Sequence, residues 1–278
     1  MTLPLDPPLE PLLSAAPRPR RFGLVNGRGL WSLIRRELLR FWRFGWETLG
    51  GAAVSSLLFL LVFHLALGGS DAAVPGLTLT QFIAPGLVVF ALTHSAYESA
   101  AAALLFDKLE GMIGDVVGAP LTPLETVLAY AGAAALNGLT TGAVILILMS
   151  LFVALPVASL AAALIFALLP AVLFGFVGLV VGLWADRWDG YAAAETFAIL
   201  PLALLSGAFF PLAHVPSGAR WLLEVNPVFH AIEGFRWALT GYSQGGALWT
   251  SALVLAALIL VLGALAWRLF AVGYKIKP

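Results

Sequence analysis

Long apolar stretches alternate with short polar ones along this chain, and six of the apolar runs, near 48–68, 80–105, 124–154, 158–184, 191–213 and 247–270, are of membrane-crossing length. A bilayer core of ~30 Å needs about 20 apolar residues at the helical rise of ~1.5 Å per residue. The runs are continuously apolar rather than alternating, which predicts spanning helices and not barrel strands. The third run is longer than a bilayer requires, so it tilts or projects beyond the lipid.

The most polar interruption in the first half is Phe106 to Glu125. Read as a helix, Leu105, Leu109, Met112 and Val116 fall on one face, while Asp107, Lys108, Glu110 and Asp115 take the rest. This predicts a short amphipathic helix at a membrane surface, closing at Gly118-Ala119-Pro120. Thr122-Pro123-Leu124-Glu125 then supplies an N-cap, a proline at the first helical position and a reciprocating glutamate, the capping box of a new helix. Upstream, Leu30 to Glu47 carries Trp31, Ile34, Leu38, Phe41 and Gly45 along one stripe and Arg36, Arg40, Arg43 and Glu47 along the other. With Trp42, Phe44 and Trp46 added, it reads as an interfacial helix whose rings dip toward the acyl boundary and whose arginines meet headgroups.

The remaining polar segments are less periodic. Residues 1–28 are proline-rich (Pro4, Pro7, Pro8, Pro11, Pro17, Pro19) and read as a mobile tail. Leu12 to Ala16 is too short for a signal-peptide core, and Arg18, Arg20 and Arg21 follow it instead of preceding it. His214 to Gly246, between the fifth and sixth runs, contains a helix opened by Asn226-Pro227, with Val228, Ala231, Phe235 and Leu239 on one face and Glu233 three residues before Arg236. It reads as a partly inserted helical cap that either gates a path or simply closes off the fold.

Composition fixes the class: 61% hydrophobic and 11% charged residues with a mean hydropathy of +0.97 describe an integral membrane protein. Thirteen of the fifteen Lys and Arg lie in the N-terminal part, at Lys108, at Arg187 or at the C-terminus, against Arg220 and Arg236 on the other side. Cytoplasmic segments retain positive charge, so both termini and the Phe106–Glu125 stretch are expected inside. No arginine-rich nucleic-acid motif is present, and the absence of cysteine excludes disulfides and thiolate chemistry.

Candidate chemistry is sparse. His94 and Glu98 sit four apart at membrane depth, with Tyr97 between them, and either serve as a relay or substrate contact or bond each other and a neighbouring helix. Asn137 reads as helix glue, and Gly138–Gly142 and Gly178–Gly182 as small-residue patterns for close helix approach. Phe209 and Phe210 either line a path or anchor an interface. The sequence holds no His-Glu-x-x-His, no Gly-x-Ser-x-Gly and no Gly-x-x-x-x-Gly-Lys, so it is read as a non-enzyme without cofactor, metal or catalytic residues of its own.

Four blocks carry a family resemblance: Phe82-Ile83-Ala84-Pro85-Gly86; the run from Phe106-Asp107-Lys108 through Ala119-Pro120-Leu121-Thr122-Pro123 to Glu125; Ser206-Gly207-Ala208-Phe209-Phe210-Pro211; and Asn226-Pro227-Val228-Phe229-His230 on to Arg236. In order and spacing they resemble the permease subunit of a type-2 ABC exporter, from about Leu30 to the C-terminus, most closely permeases for polysaccharides, lipo-oligosaccharides and drugs. The proline-rich tail departs from the pattern. The resemblance implies an all-α integral membrane fold with six transmembrane helices, an interfacial connecting helix at 29–47 and a permease domain at 48–278. It implies a cytoplasmic coupling segment at 106–123 and an extracytoplasmic cap at 214–246. It further implies a bacterial inner-membrane homodimer, embedded in lipid and binding no nucleic acid, that is driven by two copies of a cytoplasmic ABC ATPase carrying ATP and Mg. In that scheme Leu109, Met112 and Ile113 seat on the ATPase, Asp107, Lys108, Glu110 and Asp115 form rim pairs, and the Thr122–Glu125 cap makes the lever continuous with the third span. Trp31, Arg36, Arg40, Phe41 and Arg43 belong to the connecting helix, and His94, Glu98, Phe209 and Phe210 to the translocation path. The alternative is a proton-coupled secondary transporter using His94 and Glu98.

Overall fold

The computed structural model describes residues 23, 25–66, 72–74, 76–244 and 246–276, with 44–46 and 72–73 described by their backbone alone. The proline-rich tail before Gly23, the side chains of Phe44, Gly45 and Trp46, and Lys277 therefore lie outside the described residues. The fold is all-α. Helix α1 (Gly27–Ala66) is followed by a minimal antiparallel pair, β1 (Ala72–Val74) with β2 (Leu77–Thr78), then α2 (Leu79–Leu109), α3 (Ile113–Gly118), α4 (Pro123–Ser150) and α5 (Leu160–Trp184). Helix α6 (Trp188–Ala194) runs through a π turn (Glu195–Ile199) into α7 (Leu200–Leu204). After short turns come α8 (Arg220–Glu224), α9 (Pro227–Thr240) and α10 (Leu248–Ala271).

Among the described residues, five helices are long and apolar enough to cross a membrane: Glu47–Ala66 of α1, then α2, α4, α5 and α10. The segment expected to cross at 191–213 is helical only through α6, the π turn and α7, which are seven, five and five residues long. At ~1.5 Å per residue this falls short of a ~30 Å hydrocarbon core. It turns at Leu205, where Asn226 donates from Nδ2 to the carbonyls of Leu202 and Leu205 at 2.6 and 2.9 Å.

Two expectations are corrected. The connecting helix is not a separate interfacial piece but the first half of α1, a single 40-residue helix that continues into the first span. Part of its arginine stripe faces the protein: Glu37 is buried and Arg36 and Arg40 are half-buried, as are Ile34, Leu38 and Phe41 of the apolar stripe, while Arg43, Glu47, Trp31 and Trp42 are exposed. Charge pairing with the bundle decides this orientation, as described below. The Phe106–Gly118 segment, in turn, is not one amphipathic helix. α2 ends at Leu109, Gly111 takes a left-handed φ of 74°, and α3 restarts at Ile113, so Leu105 and Val116 belong to different helices.

Helix α2 is the axis of the fold and the most buried of the spans. Its neighbours approach through small residues. A Cβ built on Gly138 would stand 2.8 Å from the Ala96 Cβ, and one on Gly178 would meet the Tyr97 carbonyl and lie 2.9 Å from the Ala100 Cβ. One on Gly182 would lie 2.9 Å from the Ala101 carbonyl. Both glycine pairs thus bring α4 and α5 onto the backbone of α2, where van der Waals contact and hydrogen bonds hold helices in lipid. Asn137 donates to the Ser99 hydroxyl at 2.7 Å, and Ser95 and Thr141 share a bond of 2.8 Å.

The ends of the bundle are distinct. At one, Asn26 bonds Glu125 and the Pro120 carbonyl, Lys108 reaches the carbonyls that close α5, and Lys275 bonds Asp186. The start of α1, the 110–122 turn, the 185–187 loop and the C-terminus therefore share that end. At the other end Gln81 bonds the Ala154 carbonyl, and α9 is held by Arg236, which is fully buried, pairs with Glu233 and donates to the carbonyls of Phe82 and Gly207 at 3.1 and 2.9 Å.

We expect Gly178→Leu to destabilise the bundle by about 1–3 kcal/mol through overpacking, read as a lowered thermal midpoint of the full chain in detergent. Gly132→Ala, where an added Cβ meets nothing within 4 Å, should leave the midpoint unchanged or raise it.

Candidate functional site

The shared end carries a charge cluster that no local pattern discloses. Asp107, the third residue from the end of α2, is completely buried. Arg40 Nη2 donates to its Oδ1 at 2.6 Å, Arg36 pairs with its Oδ2, and the Tyr130 hydroxyl of α4 donates to the same oxygen at 2.5 Å. Glu37 completes the set, bonding Arg36 Nε at 2.8 Å and Arg40 Nη1 at 3.0 Å. Burial pushes the Glu37 carboxyl above its ordinary value, against the opposing pull of Arg40 and Arg36. Two guanidiniums thus meet two carboxylates, and three helices are tied at one point.

Lys108, next in sequence, points the other way. Its ammonium donates to the carbonyls of Gly182, Leu183 and Ala185 at 3.2, 3.0 and 2.6 Å, satisfying the orphan acceptors at the end of α5 where a cation is favoured. Lys275 reinforces this corner, bonding the Trp184 carbonyl at 2.8 Å and Asp186 at 2.6 Å, and its hydrogen bond holds the Asp186 carboxyl below its ordinary value.

Of the residues expected on the coupling surface, Asp107 and Lys108 are therefore internal ties, and Ile113 packs inward beside Val116, Leu33 and Val127. Leu109 stays 45% exposed despite its size, Glu110 and Asp115 are exposed, and Met112 is half-buried. The surface that remains is the α2–α3 turn: Leu109, Glu110, Met112 and Asp115. The restart after it is firmly built. The Thr122 hydroxyl accepts from the Glu125 amide at 3.3 Å, the Glu125 carboxylate accepts from the Thr122 amide at 2.7 Å, and Asn26 bonds Glu125 from α1's side.

At mid-depth, His94 is shared. Its Nε2 lies 2.8 Å from Glu195 Oε1, while Nδ1 is 3.9 Å from Glu98 Oε2. Glu195, which sequence reading missed, opens the π turn of the broken helix. Tyr97 stacks on Tyr191 at 5.8 Å between ring centres, and its buried hydroxyl has no hydrogen-bond partner among the described residues. Phe209 stacks on Phe63 of α1 at 5.4 Å, whereas Phe210 is half-buried. His94 and Glu98 are thus brought together with Glu195, and Phe209 with α1.

A bundle of this kind, with five helices long and apolar enough to cross a membrane among the described residues and charged residues paired inside it, is a multi-pass membrane protein. Residues 28–240 match the ABC-2 type transporter family, and the chain belongs to that family. Its relatives include the inner membrane transport permease YadH of Escherichia coli K12, 28% identical over 213 residues that cover 77% of this chain and 83% of the relative. Nodulation protein J of Rhizobium leguminosarum bv. trifolii is 28% identical over 238 residues, 79% of this chain and 83% of the relative. Nodulation protein J of Rhizobium meliloti is 25% identical over 235 residues, 78% and 83% respectively.

Removing Asp107 leaves Arg36 and Arg40 to share Glu37, with one positive charge uncompensated, a change that costs about 3 kcal/mol or more at buried pairs. We expect Asp107→Asn to lower the thermal midpoint sharply and Asp107→Asn with Arg40→Gln to lower it by less than the sum of the single changes. Additive losses in that cycle would show that Arg40 and Asp107 are not coupled.

Proposed function

We propose that this chain is the membrane-spanning subunit of an ATP-driven exporter, working as a homodimer driven by two copies of a separate cytoplasmic ATP-binding subunit. The observation that carries the reading is the α2–α3 turn. It presents Leu109 and Met112 with Glu110 and Asp115 on a rigid base, held from behind by the Asp107 cluster, the Lys108 carbonyl cap and the Thr122–Glu125 capping box. Apolar knobs ringed by charges suit a protein groove, the charges setting register more than affinity. A surface fixed on three sides transmits a push into α1, α2 and α4. ATP and Mg bind the partner subunit.

The excess of Lys and Arg at that end supports its facing the cytoplasm, with both termini there. Together with the name of the YadH relative, it supports a bacterial inner-membrane location. The cargo class is drawn from the wider resemblance: a polysaccharide, a lipid-linked glycan or a drug. The path is formed between two copies, with α2 and the broken helix α6–α7 contributing its lining, and Phe209 and Phe210 standing toward its outer end.

Glu110→Lys, or Leu109→Ser with Met112→Ser, should abolish co-purification of the ATP-binding partner subunit, while membrane insertion and thermal midpoint stay at wild-type levels. Undiminished co-purification from both variants would remove the turn from the interface.

A further inference from the structure

The groove between α1 and α2 has a chemistry that the transport reading leaves unassigned. Its inner part is a cavity of about 290 Å³ walled by Gly51, Ser55, Ser56, Phe59, Phe90 and Glu98, with His94 at its side, and no Lys or Arg is among its lining residues. It opens toward a wider cleft that shares Glu98 and adds Phe106 and Trp188 together with Arg43 and with Arg36 and Arg40, the last two held by Glu37 and Asp107. Glu98 is the exceptional member. Glu195 bonds Nε2 of His94 at 2.8 Å, whereas Glu98 stands 3.9 Å from the other nitrogen, Nδ1, within ion-pair reach but beyond hydrogen-bond length, and 42% of its side chain is exposed.

The charges do not close. One imidazole faces two carboxyl groups, so it can neutralise at most one of them. Ionisable groups at membrane depth pair with one another or face a water-filled cavity that something enters. The surroundings narrow what enters. Phe90 stands 5.9 Å from the His94 ring, and Phe59 lies across the cavity. Trp188 packs edge-on to Tyr191 at the mouth. An acid beside aromatic faces is the arrangement that attracts a large, weakly hydrated cation. The Tyr97 hydroxyl, buried without a hydrogen-bond partner among the described residues, lies within electrostatic reach of both Glu98 and Glu195. The π turn that sets Glu195 against His94 is a distortion found mostly at functional positions.

We propose that this groove is a recognition site for an amphiphilic organic cation, with Glu98, which His94 does not hydrogen-bond, as its charge partner, and Phe59 and Phe90 as its walls. The inference rests on the transport reading and names a cargo class for it.

The test uses the full-length chain in nanodiscs of zwitterionic lipid without any ATP-binding subunit, and tritiated tetraphenylphosphonium as probe. The wild-type chain should bind it saturably above the partition into empty nanodiscs. Benzyltrimethylammonium should compete, and benzenesulfonate should not. Glu98→Gln should weaken binding about tenfold or more, as loss of one partner of a desolvated charge contact does, and Glu98→Asp should recover part of it. Gly51→Leu provides an arm that leaves the carboxylates untouched. A Cβ at Gly51 meets nothing within 4 Å, so the leucine fills the cavity and should abolish saturable binding while the thermal midpoint holds. Binding no greater than partition, equal binding by Glu98→Gln and Gly51→Leu, or displacement by benzenesulfonate would each overturn the assignment. Absence of saturable probe binding by the wild-type chain, with its ATPase co-purification intact, strikes the cargo claim alone. Loss of co-purification with probe binding intact strikes the transport reading alone.

Discussion

Asp107 organises this molecule because a carboxylate without solvent must be completely paired. Its two oxygens take Arg40 from one side and Arg36 with the Tyr130 hydroxyl from the other, so the end of α2, the first half of α1 and α4 cannot move apart without stranding charge. Much of the geometry at that end follows. Arg36 and Arg40 of α1 must turn inward, and Trp31, Leu39 and Trp42 stand outside. The residue after Asp107 must then point away from the cluster, which aims Lys108 at the open carbonyls of α5. What is left on the surface is the turn at Gly111.

The same demand for pairing explains the opposite end. Arg236 is buried completely, and it is tolerable there because Glu233 neutralises it while the Phe82 and Gly207 carbonyls take its remaining donors. The guanidinium also lies 3.9 Å over the Phe82 ring. Gln244 donates from its backbone amide to Glu233 at 2.9 Å, so the loop beyond α9 is tied to the same pair. Between the two ends, the core depends on small residues and a few hydroxyl and amide bonds, since water does not drive helix association in lipid.

What could be read from sequence was what is local. The Thr122–Glu125 box, the Glu233–Arg236 pair and the glycine stripes at 138–142 and 178–182 each lie within one helical turn or on one face, and each appears in the structure as such. The inward arginines were misread because amphipathicity reports which residues share a face and not what that face meets. Asp107 is 71 residues from Arg36, and Glu195 is 101 from His94. No periodicity reaches so far. Gly111 gave a cue, a glycine inside a helical pattern, but the apolar spacing around it matched a helix well enough to hide the break. The shortened fifth segment escaped for a related reason: its apolar run continues past Leu205, and only Asn226 reveals that the backbone there has turned.

Helix α1 is unbroken from Gly27 to Ala66, and among the described residues the ion pairs that hold it lie near Arg36, Glu37 and Arg40. At ~1.5 Å per residue it is a rod of about 60 Å with its fulcrum roughly a quarter of the way along. Rocking about that fulcrum swings the far tip about two to three times as far as the near one, and in the opposite sense. A small nudge near Gly27 would thus arrive at Phe59 and Phe63 enlarged and reversed, where Phe209 rests against both rings.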